Sequence, residues 1–123
     1  MSRELFERKC REHGGRIEPE HPSLCKMKIE GIEWPLYEGI VATTDYTSIF
    51  ADVYLPLTPS YRLSERGWKI FDRKADAAGL KHSYPIKSFG TYHASLYADI
   101  GDFDKLVSVL REIGREWKAL FGE

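Results

Sequence analysis

A chain of 123 residues, 42% hydrophobic and 30% charged, can bury roughly two thirds of the surface its unfolded form exposes, so one core forms without staples. This composition excludes collagen, a disulfide-dense scaffold and intrinsic disorder. Lys plus Arg number 18 against 19 Asp plus Glu, a net charge of −1; that argues against a dedicated nucleic-acid or anionic-membrane binder, whose affinity comes mostly from excess cations.

The opening MSRELFERKCREHGG is charged from its third residue and carries no apolar run, which reads as neither a signal peptide nor a membrane anchor and points to a cytoplasmic protein. Ser2 is placed to cap a first helix over 3–13, where Leu5, Phe6, Cys10 and His13 recur at helical spacing and Gly14-Gly15 supplies the stop. From Leu24 to Leu57 the helical period gives way to β-branched and aromatic residues punctuated by Glu30-Gly31, Pro35, Gly39 and Thr44-Asp45. Three antiparallel strands are expected there, near 25–30, 36–43 and 48–55. In the third, Ile49, Ala51, Val53 and Leu55 share one face, and Phe50, Asp52 and Tyr54 the other.

Pro56 and Pro59 end this segment. Trp68, Phe71, Ala75 and Ala78 then recur in steps of three and four before Gly79, predicting a second helix over 61–78. Its opposite side carries a stripe of cations, Arg62, Arg66, Lys69 and Arg73. The segment 82–89, interrupted by Pro85, has the marks of a short edge strand. Residues 91–100 alternate cleanly: Tyr92, Ala94, Leu96, Ala98 and Ile100 against Thr91, His93, Ser95, Tyr97 and Asp99. Asp102 is a good N-cap for a last helix whose stripe runs from Phe103 through Leu106, Val107, Leu110, Ile113 and Trp117 to Phe121. With no repeat or linker, 1–123 reads as a single α+β domain. It is expected to be two-layered, an antiparallel sheet of four to five strands with helices on one face, in the order αβββαββα.

This order, together with the terminal passage HASLYADIGDFDKLVSVLREI, resembles the type III secretion chaperone family and its YbjN-like relatives. The resemblance implies a non-enzymatic dimer that holds partner polypeptides. The chain departs from those chaperones, typically acidic, in being nearly neutral.

Three constellations offer chemistry. Cys10, His13, His21 and Cys25 fall within 16 residues, and zinc takes four N or S ligands. The competing and favoured reading makes Cys10 a buried helix residue, His13 a helix C-terminal residue and Cys25 a strand position; a Cys10–Cys25 bridge ranks below both. Second, His93, Ser95, Tyr97 and Asp99 point one way, beside Phe50, Asp52 and Tyr54. His93 and Asp99 stand about 20 Å apart along a strand and cannot bond, so a solvated or dimer-facing surface is favoured over a catalytic one. Third, the cationic stripe suits phosphate, RNA or an acidic partner, but Glu65, Asp72 and Asp76 beside it favour an ordinary solvated helix face. Two functions follow as expectations. One is a non-catalytic protein-binding homodimer. The other is a small enzyme or ligand-binding domain using His93 or His82, Tyr92 or Tyr97, and Asp52 or Asp99.

Overall fold

The structure, a computed structural model, describes residues 2–32 and 39–122; the expected strand residues 36–38 and the aromatics Trp34 and Tyr37 lie outside the described residues. The chain runs α1 (Ser2–Glu12), β1 (Arg16–Glu18), β2 (His21–Met27), β3 (Gly39–Thr43), β4 (Ser48–Tyr54), α2 (Glu65–Ala77), β5 (Lys81–His82), β6 (Ile86–Ser88), β7 (Thr91–Asp99) and α3 (Phe103–Phe121). All pairings are antiparallel, in the order β1-β2-β3-β4-β7-β5. Because β4 occupies one edge of β7, β5 and β6 share the other, at Leu96–Tyr97 and Thr91–His93. The α+β class with helices on an antiparallel sheet agrees with the sequence pattern.

The sheet has seven strands where four to five were expected. The additions, β1, β5 and β6, are two or three residues long, too short to carry a readable period. The predicted edge strand at 82–89 is split in two around Pro85, which has no N–H to offer a ladder.

Helix starts shift for identifiable reasons. The second helix begins at Glu65, not residue 61, because the Ser64 hydroxyl accepts the Gly67 N–H and caps the first turn. Before it, Tyr61 adopts a positive φ and Leu57 bridges Leu63, geometry no helix tolerates. Arg62 is thereby removed from the stripe predicted on that helix. Ser2 is itself helical, and Asp102, at the N-cap of α3, makes no side-chain cap bond because a 3-10 turn, Ile100–Asp102, leads into the helix.

Register places Cys25, Val41, Ala51 and Leu96 in one row, and Val53 beside Ala94, on the face the helices cover. Phe6 and Cys10 of α1, Phe71 and Ala75 of α2, and Phe103, Leu106, Leu110, Ile113 and Trp117 of α3 complete that core. Trp117 also donates its indole N–H to the Gly67 carbonyl at 3.0 Å, joining α3 to α2. Trp68, on the same apolar helix face as Phe71 and Ala75, is only partly buried.

Two contacts bring backbone against backbone. Gly31, at φ +83°, meets Gly114 in the middle of α3: a Cβ on Gly114 would lie 2.0 Å from the Glu30 carbonyl oxygen. Near the other end of the layer Cys10 and Cys25 form a disulfide, and a Cβ on Gly15 would lie 2.8 Å from Cys25 Sγ.

Two outcomes follow. Gly114→Ala gains about 1 kcal/mol of helix propensity but forces the turn off the helix, so urea unfolding should show a net loss of about 1–3 kcal/mol; a stabilised variant would mean that turn and helix do not touch. The Cys10–Cys25 bridge spans 15 positions, a loop whose closure is worth about 3 kcal/mol in the chain-entropy account. Unfolding with and without dithiothreitol should differ by about that amount, and coincident midpoints would speak against the bridge.

Candidate functional site

The outer face of the sheet is built by the same register that builds the core. Phe50 stands opposite Tyr97, Asp52 opposite Ser95, and Tyr54 opposite His93, so the alternation predicted for two separate segments merges into one surface. The row through Phe50 continues to Ala42 and Leu24 on one side and Lys81 on the other. The Phe50 and Tyr97 ring centroids are 6.4 Å apart, within the range of a favourable aromatic pair. Beside Tyr54 and His93 the row adds Ile86, 50% exposed. Asp99, grouped with this set by sequence, sits at the far end of β7 opposite Ser48, while Tyr92 and His82 belong to the helix side.

Asp52 is the carboxylate partner that Asp99 is too distant to be. Its Oδ1 lies 2.9 Å from His93 Nδ1 and accepts the Ser95 hydroxyl at 3.4 Å. A carboxylate only accepts, so Nδ1 carries a ring proton directed at Asp52. A nucleophilic triad would place the hydroxyl on the imidazole; here Ser95 is on the carboxylate. The Ser95 N–H is in turn accepted by the Ser83 hydroxyl at 2.8 Å, which ties the face to the residue following β5.

At the tip of the β6–β7 hairpin, Phe89 and Gly90 both have positive φ, the two-residue turn geometry that suits Asn or Gly in its first position. Phe89 holds that conformation while fully exposed.

The cations of α2 sit elsewhere. Arg66, Lys69 and Arg73 line a groove between α2 and α3 with Lys74, Glu116 and Leu120, and Lys74 pairs with Glu116 at 3.3 Å. Acids thus temper the stripe within the groove as well as along the helix.

Cys10, His13, His21 and Cys25 do not assemble as a metal set. The two cysteines are bonded to each other, and a cystine offers no thiolate. His13 Nε2 lies 2.6 Å from Asp104 Oδ1 and its ring stacks on Phe103, while His21 is exposed at the start of β2. The favoured alternative, a buried Cys10 and a strand Cys25, describes their positions but not their bond. Among the described residues the ligand atoms that converge are those of Asp72, Asp76 and His82. In the sequence the two acids read as neighbours of the cationic stripe and His82 as a sheet residue. The available signal was the four-residue spacing of two aspartates on one helix with a histidine just past its Gly79 stop.

No protein-family model, curated protein or solved structure matches the chain.

Asp104 links α1 to α3 by accepting from Lys9 Nζ at 2.8 Å and by its contact with His13. These hydrogen bonds, Lys9 first, hold its carboxyl below the usual value. A depressed folded pKa stabilises at pH above the unfolded value, and the effect is lost as pH falls through the folded one. The side chain is 60% exposed, so screening limits the contribution to about 0.5–1 kcal/mol. Asp104→Asn should lose that at pH 7, and the gap from wild type should shrink only as pH falls below the usual carboxylate range; a gap independent of pH would exclude charge as its origin.

Proposed function

We propose that the chain is a non-catalytic protein-binding module, chaperone- or adaptor-like, that acts as a homodimer through the outer face of its sheet. The observation that carries this reading is one-sidedness. Among the described residues the core contributed by α1, α2 and α3 lies on a single face, and the other presents Phe50, Tyr54, Tyr97 and Ile86 around a hydrogen-bonded Asp52–His93–Ser95 cluster. Apolar side chains grouped in this way gain when covered, each by up to about 1.5–3 kcal/mol for full burial.

Three further points support a second copy as the cover. A net charge of −1 raises little self-repulsion. The face carries both signs, with Lys81 beside Tyr97 and Asp99 at its end, so a two-fold pairing can bring cation to carboxylate. The element order expected from the sequence, αβββαββα, resembles that of dimeric secretion chaperones. Phe89, strained and exposed, is the side chain such a module would offer to a further polypeptide.

The compartment bears on the same reading. The Cys10–Cys25 bridge favours an oxidising compartment, where such bonds persist, over the cytoplasm.

Sedimentation equilibrium should give twice the chain mass. In a two-fold interface every substitution acts twice. Tyr97→Lys, at a site 42% exposed in the single chain, should therefore weaken the dimer by about a hundredfold while leaving circular dichroism and melting of the monomer unchanged. A wild-type chain that stays monomeric up to its solubility limit would overturn the proposal.

A further inference from the structure

We infer that the C-terminal end of α2, with β5, forms a divalent transition-metal site of the zinc class, ligated by Asp72 and Asp76 carboxylates and His82 Nε2. Asp72 and Asp76 are one helical turn apart and so lie on the same side of α2. After the helix the chain reverses at Gly79, φ +72°, and returns as β5, which brings His82 against that side. His82 Nε2 lies 2.8 Å from Asp72 Oδ1 and 3.8 Å from Asp76 Oδ1.

The other ring nitrogen fixes how Nε2 is presented. His82 Nδ1 is 2.8 Å from the Ser83 carbonyl oxygen, and a carbonyl only accepts, so Nδ1 bears the proton. Nε2 meets carboxylate oxygens, which also only accept, so either a proton on Nε2 or a metal ion stands between them. A proton on Nε2 serves Asp72 alone, whereas a metal ion serves all three atoms.

Support for the metal comes from outside the cluster. Donation of the second ring N–H to a backbone carbonyl is how metal-ligating histidines are commonly held. The ring is also fixed by packing: its side chain is 10% exposed, with Trp68, Phe71 and Tyr84 set edge-on around it at centroid distances of 5.4, 5.6 and 6.3 Å. Asp76 stands in the last turn of α2, where the helix dipole disfavours a carboxylate; a bound dication offsets that. One nitrogen and two carboxylates suit zinc better than magnesium or calcium, which take oxygen. Tetrahedral zinc with bonds of about 2.0–2.1 Å spaces its ligand atoms about 3.3 Å apart, between the two separations found here. Asp76 is 71% exposed, so it can close the difference, and the fourth position opens to solvent for water.

The test is a calorimetric zinc titration of the full-length, tag-free chain with its disulfide intact. The expected result is saturable binding of one zinc per chain, with a rise in melting temperature that EDTA reverses. Asp76→Asn, an exposed change that leaves the fold alone, should weaken binding at least about tenfold. His82→Gln should abolish it, and His21→Gln should leave it unchanged. If His82→Gln fails to fold, Asp76→Asn decides alone. No saturable uptake by the wild type, or uptake unaltered in Asp76→Asn, would overturn the site and leave a His82–Asp72 ion pair.

Discussion

Strands β4 and β7 pair through seven consecutive residues, from Ser48–Asp99 to Tyr54–His93, and a slip of one residue there would exchange the core face for the outer face. That register sends Ile49, Ala51 and Val53 inward with Ala94 and Leu96, and Phe50, Asp52 and Tyr54 outward with Tyr97, Ser95 and His93. It also leaves the far edge of β7 to receive β5 and β6. The aromatic outer face and the place where His82 meets α2 therefore descend from one pairing. A residue moved by one position in either strand would undo both.

The helical layer is fastened to the sheet by links of different strength. Burial of Phe6, Phe71, Phe103 and Trp117, each worth up to about 1.5–3 kcal/mol or more, dominates. The Cys10–Cys25 bridge between α1 and β2 adds about 3 kcal/mol by constraining the unfolded chain. The Lys9 and His13 contacts with Asp104, solvent-exposed on the carboxylate side, add at most about 1 kcal/mol. The covalent and apolar links therefore set where α1 sits, and the charges refine it. Two glycine approaches, Gly15 to the cystine and Gly114 to the 30–31 turn, let the layers come close enough for those links to form.

How much of this could be read beforehand depended on the length over which a pattern repeats. Residues 48–54 and 91–99 alternate for seven and nine positions, so their faces were legible. The apolar stripe of α3 was legible for the same reason. β1, β5 and β6 were not, since two or three residues hold no period. The start of α2 was misplaced because the positive φ of Tyr61 leaves no mark in composition. Distance along the strand rules out Asp99 as a partner for His93, but only the cross-strand register identifies Asp52, at 2.9 Å, as the carboxylate beside it. The two cysteines illustrate the harder limit. Their spacing suits a metal pair and a bridge alike, and only the packing of α1 on β2 brings the sulfurs together.

The two histidines beside aspartates show how one sheet gives the same residue types different chemistry. His93 lies on the outer face, partly exposed, with one nitrogen on Asp52 and the other unfixed by it. His82 is paired with Leu96, on the helix side, enclosed by three aromatic rings with a backbone carbonyl at Nδ1 and carboxylates at Nε2. The first is free to answer whatever covers the sheet; the second is held before any ligand arrives. Because the intervening sheet separates them, a partner seated on Phe50 and Tyr97 leaves Asp76 open to solvent. The proposed dimer face and the proposed metal site therefore draw on different surfaces, linked through β7, which carries His93 and pairs with the strand of His82.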